Sequence, residues 1–262
     1  MSNELVNFWR QCSLAAPPFA HLDDLSILRQ GNNRFIDTEP MNFDTFIAGP
    51  RFGNFVDHRL HLSLLPVPYS GDLSRAKIVI LLLNPGFAFC DYWAETKMPD
   101  LRKRLEDNLH QSFKGVKFPF LWLDPQFCFH SGFVWWEKKL RDVTTAIAEK
   151  KFKGRYLDAM RYLSGKIACL ELVPYHSSSF RAHVLIDQLN SVKMVKKYVH
   201  ESLVPDANTD IRTLIVTRKV KAWALPRGTK NLVIYKGGYT RGASLSPNSR
   251  GGKAILKRLD II

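Results

Sequence analysis

One stretch of the chain has no polar face. Residues 78–83 read Ile-Val-Ile-Leu-Leu-Leu. Consecutive large apolar side chains in a strand cover both of its faces, which is the pattern of a central strand in a parallel sheet. Apolar runs at 167–173 and 211–217 predict two further buried strands, and residues 232–235 predict a fourth. Between the strands, apolar positions recur at helical spacing. Leu101, Leu105 and Leu109 predict a helix over 100–111, and Trp136, Leu140, Val143 and Ile147 predict a longer one over 134–152. Shorter helices are expected at 156–163, 219–225 and 250–259, and a long one at 182–203. Strands that alternate with helices are joined by crossovers, so the sheet should be parallel with helices on both faces. The expected class is α/β: a three-layer α/β/α arrangement around a four-stranded, mainly parallel sheet.

The first 68 residues carry a weaker pattern. Residues 3–14 predict a short helix that Pro17-Pro18 stops, and short strands are expected within 58–65. The segment has no repeat or low-complexity tract, and its apolar content argues against disorder. It reads as an N-terminal extension packed on a main domain of residues 69–262, which opens at the turn Tyr69-Ser70-Gly71-Asp72-Leu73.

Charge sharpens this picture. The net charge is +14, and its distribution is uneven. Residues 1–50 hold three basic residues against six acidic ones, whereas residues 211–262 hold twelve against Asp260 alone. An asymmetry of that size suits a polyanionic partner. Residues 1–20 lack a basic segment followed by an apolar run, and the uncharged apolar stretch at 78–90 is too short to span a bilayer, so a soluble, cytoplasmic protein is expected. Cys12, Cys90, Cys128 and Cys169 are scattered with no Cys-x-x-Cys pair. They read as reduced thiols, mostly in the core, and not as a zinc or iron–sulfur set. No Gly-x-Ser-x-Gly, Walker loop or His-Glu-x-x-His motif is present.

The candidate chemistry begins where the central strand stops. Asn84-Pro85-Gly86 follows the apolar run directly. Pro85 has no N–H for a ladder and Gly86 admits backbone angles that other residues avoid, so the chain leaves the sheet there. Asn84 is thereby held at the carboxyl end of a buried strand, where open α/β sheets place ligands. An Asn-Pro-Gly tripeptide in isolation is an ordinary turn. Here it is followed by Phe87-Ala88-Phe89-Cys90-Asp91-Tyr92-Trp93. A hydrophobic strand, Asn-Pro-Gly and then an aromatic loop resembles the first motif of the uracil-DNA glycosylase superfamily, in the form found in its mismatch-specific uracil/thymine branch.

Two later stretches extend the resemblance, which covers residues 69–262. Residues 243–252 (Ala-Ser-Leu-Ser-Pro-Asn-Ser-Arg-Gly-Gly) are similar to the loop that enters the DNA minor groove in that superfamily. Ser246 and Pro247 match its Ser-Pro, while Ser244 stands where many members have histidine and Leu245 where they have proline. Independently of any family, small residues allow close approach to phosphates, and amides opening a helix attract anions. Ser244, Ser246 and Asn248, with Arg241, Arg250 and Lys253, are the candidate DNA-binding residues; the plain alternative is a Ser/Gly loop capped at Ser249. The third stretch, 171–179, places Glu171 and His176 near a strand end. A buried carboxylate needs partners, and His176, like His130, has the alternative of a purely structural role.

The resemblance implies a monofunctional DNA glycosylase that flips a base out of duplex DNA, hydrolyses its N-glycosidic bond and leaves an abasic site. A monomer with no metal or organic cofactor is expected. Asn84 would position the attacking water. Pro85, Gly86 and Phe87 would hold the leaving base, with Phe87, Phe89 or Tyr92 stacking on it. Three substrate readings stay open. The aromatic insert at 118–136, with His130, Ser131, Trp135 and Trp136, together with Glu171 and His176, suits a roomy pocket for a modified pyrimidine such as the glucosylated hydroxymethylcytosine of phage DNA, an antiviral role. On that reading the insert borders Asn84. Uracil or mismatch repair is the second, and a DNA-binding module without the chemistry is the third.

Overall fold

The structure is a computed structural model that describes residues 4–30, 35–38, 41–50, 52–53, 58–236 and 243–262. In chain order its elements are α1 (Glu4–Arg10), α2 (Leu22–Gln30), β1 (Ile36–Asp37), α3 (Phe43–Ala48), β2 (Leu60–His61), β3 (Tyr69–Ser70), β4 (Ile78–Leu81), α4 (Phe89–Lys97), α5 (Pro99–Leu109), α6 (Ser131–Phe152), α7 (Tyr156–Ser164), β5 (Ile167–Leu170), α8 (Leu185–Gln188), α9 (Asn190–Tyr198), α10 (Val204–Asn208), β6 (Thr213–Val216), α11 (Val220–Trp223), β7 (Leu232–Ile234) and α12 (Arg250–Arg258). The chain forms two units interleaved along the sequence. One comprises Met1–Tyr69, Leu83–Ser112 and Glu171–Tyr198; the other comprises Ser70–Leu82, Phe113–Leu170 and Val199–Ile262.

The second unit carries the α/β pattern. Its sheet has five strands in the order β3-β5-β4-β6-β7, one more than the sequence predicts, because Tyr69–Ser70 adds a short edge strand. β4 is central and pairs in parallel with both β5 and β6, so that Val79 lies between Ala168 and Leu214. β6 pairs in parallel with β7. Every residue of β4, β5 and β6 is buried, as the unbroken apolar runs require. The carboxyl end of β4 is closed by side chains: Thr217 Oγ1 donates to the Leu81 carbonyl (3.2 Å) and the Trp223 indole to the Leu82 carbonyl (3.1 Å).

The aromatic insert at 118–136 is largely core and not an open loop. It forms two short 3-10 turns, Leu121–Leu123 and Pro125–Phe127, and Phe120, Leu121 and Phe127 are fully buried. Phe120 stands edge-on to Trp136, and the Trp122 indole donates to Ser70 Oγ (3.0 Å). α6 starts at Ser131, three residues before its predicted start at 134, because His130 caps it through Nδ1, which accepts from the Gly132 amide (3.0 Å).

In the first unit, residues 1–69 form one body with two segments that return to them later in the chain. α1, α2 and α9 pack together around Leu5 and Trp9. Asp24, fully buried, accepts from the Tyr175 hydroxyl (2.7 Å) and the Ser191 amide (3.0 Å). β1 and β2 form a small parallel pair, Ile36 opposite Leu60 and Asp37 opposite His61. α4 occupies residues read as an aromatic loop; Asp91 makes the helix possible by accepting from the Ala88 amide (2.8 Å) where no capping side chain precedes it. The helix expected at 182–203 is broken at Leu189, whose backbone is extended (ψ 134°), and Val199–Leu203 continues α9 as a π-helical turn. Among the described residues, no helix is long and apolar enough to cross a membrane.

Gly71 shows how closely the sheet edge packs. Its φ is +91°, and a Cβ there would lie 2.6 Å from the Ile167 carbonyl oxygen. Gly71→Ala should therefore destabilise the protein by about 2 kcal/mol or more, from overpacking and left-handed strain together; equilibrium denaturation of the variant checks this.

Candidate functional site

The side chain of Asn84 is held in one orientation. Its Nδ2 donates to the carbonyls of Pro85 (2.9 Å) and Tyr175 (3.3 Å) and to Ser177 Oγ (2.9 Å). Two of these acceptors are backbone carbonyls, which have no proton to give, so the nitrogen must face them and the oxygen must point away. Asn84 Oδ1 has no partner among the described residues, and the side chain is only half-buried. The turn is fixed from the other side as well, where the Ser177 amide donates to the Pro85 carbonyl (3.2 Å) and the Val173 amide to the Leu83 carbonyl (2.8 Å). Gly86 is exposed, and the amides of Gly86 and Phe87 donate to no described group.

Next to this turn lies an aromatic cluster drawn from both ends of the unit. His61 stacks face to face on Phe87, with centroids 3.9 Å and planes 17° apart. Its Nδ1 is 3.2 Å from the Tyr92 hydroxyl and 4.0 Å from Asp37 Oδ2. Phe46 stacks on Tyr92 and meets Phe87 and Phe89 at their edges. Half-buried Phe87 and Phe89 keep accessible surface, whereas Tyr92 is 1% exposed, with one face covered by Phe46 and its hydroxyl engaged by His61. Tyr92 is therefore a wall of the cluster with no face to offer a base.

The remaining sequence candidates divide between the two units. His176 is buried in the first unit: Nδ1 lies 2.7 Å from the Gly86 carbonyl and Nε2 lies 3.1 Å from the Leu65 carbonyl. Its backbone carbonyl accepts from the His61 amide (2.9 Å). Its ring thus ties the Asn-Pro-Gly turn to the N-terminal segment. Glu171 is buried in the same unit, where its amide donates to the Pro68 carbonyl (2.9 Å). His130 belongs to the second unit and is committed to capping α6 and stacking on Trp122. The loop with Ser244 and Ser246 also lies in the second unit. Ser244 Oγ donates to Ser246 Oγ (3.0 Å), and Ser249 caps α12 by accepting from the Gly252 amide (3.0 Å). A Cβ on Gly252 would fall 1.8 Å from the Ser246 carbonyl oxygen, so the two glycines let the loop lie directly on the helix start. Ser244, Asn248, Arg250 and Lys253 are exposed there, Ser246 is half-buried, and Arg250 donates to the Ile234 carbonyl (3.3 Å). Arg241 lies outside the described residues.

Sequence reading missed the residues that hold Asn84 and Phe87. Tyr175 and Ser177 are 91 and 93 positions downstream, and His61, Asp37 and Phe46 come from the segment whose pattern was weakest. Nothing in local spacing signals such partners. Among the described residues, no group of three or more His, Cys, Asp or Glu side chains is placed to hold a metal ion, and all four cysteines are free thiols. Comparisons with family models, with curated proteins and with solved structures find no match.

One buried carboxylate borders this region. The Glu95 side chain, 7% exposed, accepts from the Leu65 amide (3.0 Å) and lies 3.5 Å from Arg102. Burial raises its pKa from the usual 4.5 to about 8, against the lowering effect of the Leu65 hydrogen bond and Arg102. The folded protein therefore binds this proton more tightly than the unfolded chain, and its contribution to stability falls as pH rises from about 4.5 to about 8. Glu95→Gln keeps an acceptor for Leu65 and should remove that decline; denaturation midpoints of both proteins across this pH window check it.

Proposed function

We propose that the chain is a monofunctional DNA glycosylase that holds a flipped nucleotide against the Asn84 turn and hydrolyses its N-glycosidic bond. The observation that carries the reading is the fixed orientation of Asn84. With its nitrogen tied to two carbonyls and a hydroxyl, Oδ1 is left as an outward-facing acceptor that can orient a water molecule for attack on the sugar. The uncommitted amides of Gly86 and Phe87 supply donors for the negative charge that the departing base acquires. Partly exposed Phe87 and Phe89 offer ring surface to the base. The four parallel strands β5-β4-β6-β7, with the asparagine turn following β4 in the chain, suit the α/β/α sandwich of the uracil-DNA glycosylase superfamily. The basic C-terminal stretch suits a duplex gripped through its phosphates, with Arg250, Lys253 and the serines of the 243–249 loop facing the backbone.

The test is abasic-site formation, read by alkaline cleavage, on duplexes carrying uracil, a mismatched thymine or glucosylated hydroxymethylcytosine. Release of at least one of these bases is expected, and the panel identifies which. Asn84→Ala should lower that rate by about two orders of magnitude or more, the scale of losing a positioned proton acceptor, while DNA affinity stays nearly unchanged. Retention of more than roughly a tenth of the activity removes Asn84 from that role. No abasic sites on any substrate leave a DNA-binding module without the chemistry.

DNA affinity should also fall steeply with salt, at a slope of about −0.9 per neutralised phosphate. Lys253→Glu should flatten that slope in a fluorescence-anisotropy titration. An affinity independent of salt would overturn the DNA reading as a whole.

A further inference from the structure

The second unit contains a cleft that none of the Asn84 chemistry uses. The chain passes from β4 to β5 on one side and then crosses to β6 on the other, so the winding of the sheet reverses between β4 and β6. Open parallel sheets bind ligands outside the carboxyl ends of the strands at such a reversal. At this point lies a shallow, open concavity. Leu82 lines it just past β4, Thr217 and Arg218 just past β6, Trp135 and Lys139 from α6, and Leu245 from the loop before α12. Thr217 is committed to the Leu81 carbonyl, so the polar character of the cleft comes from its cations.

Among the described residues, those cations have no acidic counterpart. Lys139 Nζ donates to the Ala243 carbonyl (2.9 Å) and lies 5.5 Å from the centre of the Trp135 ring. Arg218 is exposed and makes no hydrogen bond or ion pair among the described residues. Glu137, the acid nearest in sequence to Lys139, is engaged by Arg141 (2.8 and 2.5 Å) and by the Tyr156 hydroxyl (3.1 Å). Partial burial, then the charges of Arg218 and Lys138, hold the Lys139 pKa below the usual lysine value, the condition of a cation facing others without an anion. Trp135 adds an indole 42% exposed. Cations without an acidic partner among the described residues, beside a partly exposed indole, fit a phosphate with a planar base attached.

We propose that this cleft binds one nucleotide unit of a nucleic-acid strand, with its phosphate between Lys139 and Arg218 and its base on Trp135. The strand, as opposed to a free nucleotide, follows from the unit's charge: residues 211–262 carry twelve basic side chains against one acid, far more than a single phosphate needs. The proposal shares with the function above only the nucleic-acid partner, and it is tested by binding and not by base release.

The experiment is fluorescence anisotropy of a labelled oligothymidylate with the full-length protein over a salt series. Arg218→Gln should weaken binding several-fold and reduce the salt slope by about 0.7, one single-strand phosphate contact. Arg218→Lys should preserve the slope. Trp135→Ala should weaken binding roughly five- to hundredfold with the slope unchanged, the signature of lost stacking. Lys114→Gln, at an exposed lysine that does not line the cleft, is the control and should change little. Because Arg218 is exposed and makes no hydrogen bond or ion pair among the described residues, its variants should melt with the wild type. If Arg218→Gln and Lys114→Gln are indistinguishable, or Trp135→Ala binds normally, the site is refuted. If inorganic phosphate or thymidine monophosphate competes as well as the oligomer, the cleft takes a free phosphate and the strand assignment falls. Protein that releases no base but shows these shifts sinks the glycosylase reading and leaves this one standing.

Discussion

The structure depends on a strand that is buried on both faces and both edges. β4 offers no polar side chain, so its backbone groups must be satisfied by neighbours, and parallel β5 and β6 supply them. Parallel neighbours require crossovers, which the helices between the strands provide. The same constraint acts where β4 stops. Its last carbonyls would be buried without partners, and Thr217 and Trp223, each from just beyond β6, close them. A proline then removes the next donor, and the chain is released into the turn that carries Asn84.

Hydrogen-bond satisfaction also fixes that asparagine. A side-chain amide is nearly symmetric in shape, but backbone carbonyls accept only, and two of them beside Asn84 decide which end faces inward. The support runs further into the first unit. Tyr175, whose carbonyl holds Asn84, is held in turn by its hydroxyl on buried Asp24, and Trp9 packs against its ring. Burial and the Asp24 carboxylate keep the Tyr175 hydroxyl protonated far above the usual tyrosine range, so it remains a donor. Residues near the start of the chain thus set the orientation of a side chain sixty positions later.

Most polar groups of the candidate residues are committed to the fold. His176 bridges two carbonyls, His130 caps a helix, and Tyr92 meets His61. Groups without a hydrogen-bond partner among the described residues include Asn84 Oδ1 and two adjacent amides in the first unit and, in the second, exposed Arg218, which stands beside Lys139. The first set suits a water and a departing anion; the second suits a phosphate. The uncommitted groups, and not the conspicuous histidines, carry the chemistry proposed for this chain.

The sequence by itself determined the α/β class, the central strand, the order of strands and helices after residue 69, and the turn at Asn84. These follow from local signals, because a strand buried on both faces must be apolar throughout and a proline cannot continue its ladder. α6, α7 and α12 were legible for the same reason, since each buries one face at a period its own residues record. The short edge strand Tyr69–Ser70, the break at Leu189 and the helical course of residues 89–97 were not, because two-residue pairings and caps such as Asp91 leave no periodic trace. Only the tertiary structure decided that residues 1–69 belong with Leu83–Ser112 and Glu171–Tyr198, and that His61, Ser177 and Tyr175 surround the Asn84 turn. Contacts between residues so far apart depend on how the chain returns on itself, and no spacing along the sequence encodes that return.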